Sequence, residues 1–238
     1  MPGLDARAEL IRDAAAVGAL LSESQAERML VLVELILQAP FNLTAIRDPA
    51  VARQKHLVDS LGLLPWIGPG PGRLADLGSG AGLPGIPLGV SRPDLDVFLV
   101  ESVHKKAAFL ERAVDELGLG NVRVVTARAE DLGQDPAWRE SLDWVVARAV
   151  APLRVLVEYA LPLCRVGGRL VAAKGPGVGE EVSAAGRAIQ LLGGRWGPVT
   201  AVQIPGLGGQ RTVACVDKVR PTPARWPRRA GTPARRPL

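Results

Sequence analysis

The sequence predicts an α/β fold, in which helices cover both faces of a mainly parallel sheet and a helical extension comes first. Three observations support this prediction. After residue 71, short apolar segments typical of strands alternate with segments of helical periodicity. A glycine-rich loop follows the first of these strand-like segments. Before residue 71, apolar residues recur at the spacing of amphipathic helices.

The helical extension is expected to span residues 1–70. Ser22 with Gln25 resembles a capping box at the start of a second helix. Asp48 followed by Pro49 is typical of a third helix start, because the first helical position needs no amide donor. This third helix is expected to turn four polar side chains outward: Arg53, His56, Asp59 and Ser60.

Residues 71–218 are predicted to form the sheet and its covering helices. The predicted strands are residues 73–77, 96–101, 121–126, 142–147 and 169–173. The predicted helices are residues 84–91, 103–118, 151–165 and 177–192. Two further apolar segments, 199–204 and 211–217, have only a Gly-rich loop between them. They are expected to form an antiparallel hairpin at one edge of the sheet.

The C-terminal segment, residues 219–238, carries the whole positive excess of the chain. It holds six arginines and no acidic residue, so the net charge of +5 leaves −1 for the remainder. Nucleic-acid binding by the body therefore needs a local basic patch. Because the segment is rich in Pro and Arg and offers little apolar surface to bury, it is expected to be a disordered basic tail.

Length, hydropathy and cysteine content favour a cytoplasmic protein. A chain of 238 residues can bury the core of one α/β domain. No apolar run approaches the length of a membrane span, and the charged N-terminus does not resemble a signal peptide. Cys164 and Cys215 lack metal-ligand spacing and offer no disulfide framework. We expect a cytoplasmic monomer with no membrane partner and no metal.

The glycine loop indicates a ligand that contains a nucleoside. Gly78, Gly80 and Gly82 allow the backbone to approach a ligand closely, although the loop also matches the dinucleotide pattern G-x-G-x-x-G. Asp76 lies two residues before the first glycine, where its charge would repel a pyrophosphate and attract the cationic groups of S-adenosylmethionine. Glu101, after the second predicted strand, can accept the ribose hydroxyls of either cofactor. The loop thus favours S-adenosylmethionine as the cofactor.

Two later strand ends bear on the reaction. Ala129 and Glu130 follow the third strand and would lie beside an adenine, although Glu130 can also serve as a helix cap. Arg148 ends the fourth, where the Asn/Asp-Pro-Pro-aromatic motif of many amino-methylating enzymes is absent. The cysteine that methylation at pyrimidine C5 requires is absent there too. Guanine N7 requires neither, because it presents an unprotonated lone pair, so positioning and electrostatics suffice.

These segments together resemble the bacterial 16S ribosomal RNA guanine-N7 methyltransferases, also known as the glucose-inhibited division protein B family. The resemblance runs from about residue 15 to residue 217 and includes the motifs aromatic-Asn-Leu-Thr, H-x-x-D-S and D-x-G-[ST]-G-x-G-x-P-G-I-P. The segments that carry it are residues 41–49, 56–60, 76–87, 101–110, 148–149 and 174–175. Phe41, where the family commonly has tyrosine, and His104 are departures from the pattern.

The resemblance implies a class I (Rossmann-like) S-adenosylmethionine-dependent methyltransferase fold with an N-terminal helical extension. It implies rRNA processing activity on a guanine in the decoding-region loop of 16S rRNA, within the small ribosomal subunit or its assembly intermediate. The candidate cofactor contacts are Asp76, Gly78, Gly80, Leu83, Glu101, Ala129, Glu130 and Arg148. The candidate RNA contacts are Asn42, Arg53, His56, Ser60, Lys105 and Lys174. Arg148 and His56 are expected to act by positioning and electrostatics, without a catalytic base.

Simpler interpretations and other functions stay open at this point. His56 can be a structural histidine, Asn42 a turn residue, and Lys105 part of a solvated helix face. A nicotinamide-dependent oxidoreductase would need an acid/base partner for hydride transfer, which the sequence does not offer. Cofactor titration would distinguish a non-catalytic RNA-binding module, and salt-dependent RNA affinity would distinguish a small-molecule methyltransferase.

Overall fold

A computed structural model of the chain describes residues 4–175, 178–208 and 211–238. Its centre is a seven-stranded sheet in the order β3-β2-β1-β4-β5-β7-β6. The strands are β1 (Gly72–Leu77), β2 (Leu95–Val100), β3 (Val122–Val125), β4 (Leu142–Arg148), β5 (Cys164–Lys174), β6 (Gly194–Val202) and β7 (Arg211–Lys218). The five predicted strands and the predicted hairpin are therefore confirmed.

Ten α-helices accompany the sheet in the described ranges. They are α1 (Leu4–Ala16), α2 (Glu23–Leu37), α3 (Pro49–Ala52), α4 (Asp59–Leu61), α5 (Gly85–Ser91), α6 (His104–Glu116), α7 (Ala129–Gln134), α8 (Leu153–Ala160), α9 (Val178–Leu191) and α10 (Thr232–Arg235). A π-helical segment (Arg53–Val58) joins α3 to α4 without a break. None of the helices in these ranges has both the length and the apolar character needed to cross a bilayer.

The strand register brings the functional loops to one edge of the sheet. β1 to β5 are parallel, and Leu77 at the end of β1 pairs with Val100 on one side and Ala147 on the other. The loops that follow β1, β2 and β4 therefore start side by side, where ligands bind in open α/β sheets. β7 runs antiparallel beside β5, so its first residue lies at the same edge.

Two apolar clusters cover the two faces of the sheet. Successive strand residues point to opposite faces, so Leu74 joins the cluster under the N-terminal extension and Ala75 joins the other. The first cluster includes Met29 of α2 and Leu110 of α6, and the second includes Leu156 of α8. The extension is thus part of the core on one face rather than an appendage.

The helix starts of the extension form as predicted. Ser22 and Gln25 make both hydrogen bonds of the capping box. The Asp48 side chain accepts a hydrogen bond from the Val51 amide, with Pro49 at the first helical position.

The outward face predicted for the third helix is wrong. His56 is 8% exposed and Ser60 fully buried, and the Ser60 hydroxyl donates to the His56 carbonyl. The guanidinium of Arg53 pairs with Glu9 of α1. Arg53 has its partner in a distant segment and Ser60 in its own helical segment, and both can face inward because a buried polar group is tolerated when it is hydrogen-bonded.

The prediction of a disordered C-terminal tail is also contradicted. Residues 219–238 pack on the second face, where Trp226 is 9% exposed. Arg139 donates hydrogen bonds to the Trp226 and Thr222 carbonyls at 2.8 and 2.7 Å. Arg228 pairs with the fully buried Glu158 of α8 at 2.6 Å. Backbone carbonyls and an ion pair hold the segment, and a rule based on apolar composition does not count these contacts.

Candidate active site

The glycine loop after β1 uses three left-handed backbone positions. Gly78, Gly80 and Gly82 have φ values of +67°, +57° and +83°, which L side chains rarely adopt. A Cβ at Gly78 would also lie 3.1 Å from Val150 of the β4–α8 loop. The loop therefore requires glycine here both for its conformation and for the close approach of a neighbouring loop.

Asp76 has a carboxylate oxygen without a partner. The residue is fully buried, and its Oδ2 accepts a hydrogen bond from the Gly85 amide at 2.9 Å. Its Oδ1 is also buried and accepts no hydrogen bond from any of the described residues. Burial raises the pKa of Asp76 to about 7, although the Gly85 amide and the charge of Arg148 oppose the rise. A cationic ligand beside this oxygen would satisfy it and favour the charged form.

Glu101 ties the glycine loop to the end of β2. Its Oε2 accepts a hydrogen bond from the Gly80 amide at 3.1 Å, and its Oε1 accepts one from the Val103 amide at 2.8 Å. The side chain is 5% exposed. Each carboxylate oxygen has a further lone pair, so Glu101 can hold the loop and still accept ribose hydroxyls.

A small cleft of about 100 Å³ opens beside the loop. Its lining includes Gly78, Ala129, Glu130, Val150 and Tyr159. The predicted adenine-side residues therefore lie together with the first glycine, as the strand order requires. A carboxylate oxygen of Glu130 also accepts a hydrogen bond from the amide of Gly231 in the C-terminal segment, at 2.8 Å, and no motif in the sequence indicates this contact.

Leu83 has its side chain in the core rather than in this cleft. It is 7% exposed and belongs to the apolar cluster under the N-terminal extension. Its amide donates to the Ser79 carbonyl at 3.1 Å. Leu83 thus supports the glycine loop from below, and a cofactor contact by this residue stays a prediction.

A larger cavity of about 590 Å³ lies between the N-terminal extension and the sheet edge. Asp59 stands at its wall and pairs with two arginines, Arg148 at 3.1 Å and Arg211 at 3.2 Å. Lys174 pairs with Glu181 at 2.8 Å in the same lining. Four lysine or arginine residues therefore lie in this lining, since Lys55 belongs to it as well, and Arg148, Arg211 and Lys174 each have an acidic partner.

His56 lies in the same lining as a neutral side chain. Its Nε2 is 3.0 Å from the Thr44 hydroxyl. Burial lowers the pKa of His56 to about 4, and the charge of Arg148 adds to the effect. At neutral pH the ring can therefore donate or accept a hydrogen bond but carries no charge.

The loop between β4 and α8 separates the two cavities. Val150 lines both of them. Its neighbour Ala149 has φ +57°, a strained conformation for a residue with a Cβ. Strained backbone is concentrated at functional sites. Here it lies in the β4–α8 loop, where that loop approaches Gly78. The cleft and the larger cavity adjoin across this loop.

The predicted RNA contacts fall into three groups. His56 and Lys174 line the larger cavity. Asn42 and Lys105 are exposed outside it, with Lys105 Nζ 5.3 Å from the centre of the Phe41 ring. Arg53 and Ser60 are held inside the fold by the contacts described above, so an RNA contact by either would require these contacts to break.

Sequence reasoning missed Arg211 and the inward role of Asp59. Arg211 is the first residue of β7, which runs antiparallel to β5. The predicted hairpin already implied that this strand begins at the ligand edge, so the signal was present. Within the described ranges, no group of three or more His, Cys, Asp or Glu residues could hold a metal ion.

Comparisons with known proteins agree with this architecture. The family model for GidB, rRNA small subunit methyltransferase G, matches residues 25–210. The ribosomal RNA small subunit methyltransferase G of Roseiflexus castenholzii is 53% identical over 197 residues, covering 83% of this chain and 84% of the relative. The Chloroflexus aggregans protein of the same name is 48% identical over 231 residues, covering 96% and 97%. The second match must include part of residues 219–238.

A solved structure shares the fold at low sequence identity. A SAM-dependent methyltransferase from Aquifex aeolicus has a TM-score of 0.51 and 20% identity, covering 69% of this chain and 92% of the other. The predicted class I (Rossmann-like) methyltransferase fold is therefore confirmed.

Proposed function

The chain belongs to the rRNA small subunit methyltransferase G family, and from this premise we propose that it transfers a methyl group from S-adenosylmethionine to N7 of a guanine in 16S rRNA. One observation carries the proposal: a cleft at the glycine loop adjoins a larger cavity with cationic walls, and Val150 of the β4–α8 loop lines both of them. A methyl donor in the first and a base in the second would be neighbours.

The residues present fit the proposed cofactor. The buried Oδ1 of Asp76 has no partner in the described structure and suits a cationic group. Glu101 is placed by two amides with lone pairs left over for ribose hydroxyls. When bound, S-adenosylmethionine supplies a methyl group on a positively charged sulfur. Ala129 and Glu130 in the cleft lining would hold the adenine.

The larger cavity suits a nucleobase with its phosphate backbone nearby. Arg148, Lys174 and Arg211 give its lining a positive character that favours RNA. Because guanine N7 carries an unprotonated lone pair, the residues need only to orient the base and to exclude water. Arg148 cannot act as a base, since a guanidinium stays protonated at working pH. His56, neutral at this pH, can offer a hydrogen bond.

Transfer of a labelled methyl group tests the proposal directly. The full chain is incubated with labelled S-adenosylmethionine and small ribosomal subunits from a bacterial strain that lacks the endogenous enzyme, and the modified base is then mapped. We expect label on one guanine of 16S rRNA. After hydrolysis of the RNA, the label should be recovered as a guanine methylated at N7. Label on another base would contradict the proposal. So would an absence of label on RNA when small molecules of a cell extract, offered in a separate incubation, become labelled.

A parallel incubation separates the possible forms of the substrate. Free 16S rRNA, mature subunits and assembly intermediates are offered at equal concentration. Methylation of at least one of these RNA forms is required by the proposal, and their relative rates identify the form that the cavity accepts best.

A further inference from the structure

The C-terminal segment, residues 219–238, lies on the face of the sheet opposite the N-terminal extension and reaches the proposed cofactor cleft from there. The segment begins at a buried cluster in which Lys218, 1% exposed, donates a hydrogen bond to the Thr222 hydroxyl at 2.6 Å. The same ammonium lies 2.9 Å from Glu140. These contacts fix the start of the segment against the body.

From there the segment bridges α7 and α8. Gln134 of α7 donates to the Pro227 carbonyl at 2.6 Å. The Pro227 ring also packs on Gly133, where a Cβ would lie 2.7 Å from the ring. Arg228 forms a forked pair with Glu158 of α8, at 2.9 and 2.6 Å. The two helices that flank the cleft are therefore held by one piece of chain.

The segment then contacts a residue of the cleft itself. The Gly231 amide donates to Oε1 of Glu130 at 2.8 Å, across a sequence separation of 101 residues. Glu130 is 4% exposed and lines the cleft with Gly78 and Ala129. Within the described part of the chain, no hydrogen bond engages its second oxygen. A carboxylate held through one oxygen has the other oriented for a ligand.

We propose that the C-terminal segment is a positioning element for the cofactor's adenine, in which the Gly231 amide orients Glu130 so that its free oxygen accepts a hydrogen bond from the exocyclic amine. This inference rests on the proposed function. It makes recognition of adenine depend on a segment outside the sheet. Gly231 adopts φ +79°, so its amide direction depends on a conformation that other residues rarely adopt.

Two ligands isolate the proposed hydrogen bond. S-adenosylhomocysteine carries the exocyclic amine, and S-inosylhomocysteine has a carbonyl oxygen in its place. The test variant carries Gly231→Pro, which removes the amide hydrogen that Glu130 accepts and retains Arg228. The control variant carries Gly118→Pro, which makes the same change at φ +62° in a turn outside the lining of the cleft.

Calorimetry measures the affinity of each protein for both ligands. We expect the test variant to lose about tenfold in affinity for S-adenosylhomocysteine, as for one hydrogen bond to a charged group. Its affinity for S-inosylhomocysteine should change by less than about twofold, because that ligand does not make the bond. The control variant should keep the ratio of the full chain.

A purely structural segment would give a different result. It would lower both affinities equally, and the unchanged ratio would overturn the proposal. If the test variant does not fold, Gly231→Ala decides by the same ratio, since a Cβ there meets no atom within 4 Å but strains the backbone that directs the amide. If the unaltered chain binds neither ligand, the proposed function itself fails. Binding with an unchanged ratio overturns only the role of the segment.

Discussion

Arg148 and Asp59 form an ion pair of 3.1 Å where the fourth strand meets the N-terminal extension. Arg148 Nη1 also donates to the Lys55 carbonyl at 3.2 Å. The second oxygen of Asp59 pairs with Arg211, at 3.2 Å. One carboxylate therefore sets the positions of two guanidinium groups at the wall of the larger cavity, and it links the extension to both β4 and β7.

Removal of Arg148 should affect the reaction more than the fold. We expect Arg148→Ala to lower methyl transfer by about tenfold to a thousandfold, the loss of a positioning contact of a few kcal/mol. Asp59 keeps Arg211 as its partner, so the melting temperature should fall little. Arg165→Ala, which removes an ion-paired arginine outside the cavity lining, is the matched control. Full activity with a melting temperature several degrees lower would make Arg148 a structural residue.

Gly78→Val should abolish cofactor binding. The substitution places a branched side chain at φ +67°, with its Cβ 3.1 Å from Val150, where the cleft and the loop meet. Gly118→Val introduces a similar strain at φ +62°, in a turn where a Cβ meets no atom within 4 Å. Calorimetry with S-adenosylhomocysteine should show binding by the second variant only. Binding by both would mean that the Gly78 turn does not face the cofactor.

Asp76 should make cofactor affinity depend on pH. Burial raises its pKa to about 7, and a cationic ligand favours its charged form. Affinity for S-adenosylmethionine should therefore increase as the pH rises from 6 to 8, and the slope should shrink in Asp76→Asn. In the ligand-free protein, burial favours the protonated form of Asp76. The contribution of this form to the free energy of unfolding should therefore be lost as the pH rises through about 7. An Asp76→Asn protein with the original slope would contradict this assignment.

The lowered pKa of His56 should make the free energy of unfolding depend on pH in the opposite direction. Its pKa is lowered from 6.5 to about 4, so its contribution is complete above pH 6.5 and is lost as the pH falls through about 4. We expect His56→Gln to flatten the acid limb of the unfolding free energy, measured in urea between pH 7 and pH 4. We also expect no inflection from His56 near pH 6.5 in the rate of methyl transfer. An acid limb unchanged by the substitution would show that the ring titrates at its ordinary pKa.

The parts of the site that sequence reasoning located follow directly after strands. Asp76, Gly78, Glu101 and Arg148 could be placed because the carboxyl ends of parallel strands meet at one edge, whatever the helices do. The inward orientation of His56 could not, because it depends on the Thr44 hydroxyl of another segment. A helical pattern alone does not tell which polar face finds partners in the fold.

The C-terminal segment shows a second limit of sequence reasoning. Its arginines and prolines suggested a solvated chain, since little apolar surface can be buried. The segment is instead ordered by carbonyls that Arg139 and Gln134 engage and by Glu158, fully buried on α8. Acceptors on a backbone are present in every sequence, so composition cannot signal them.

Arginines of the C-terminal segment should separate into one that stabilises the fold and others that bind RNA. Glu158 is fully buried, and Arg228→Ala removes its cationic partner although the backbone amide of residue 228 still donates to it. The substitution should therefore cost on the order of 3 kcal/mol in unfolding free energy. Arg225 and Arg229 are exposed, and their joint replacement by serine should leave the melting temperature unchanged.

The same replacement of Arg225 and Arg229 should weaken association with 16S rRNA most at low salt. It should reduce the slope of log affinity against log salt by about 1.5, because each phosphate contact releases counterions. Arg228→Ala should keep the original slope. Equal salt slopes in all three proteins would show that RNA does not reach this segment, and a large loss of stability in the double variant would show that its exposed arginines hold the fold.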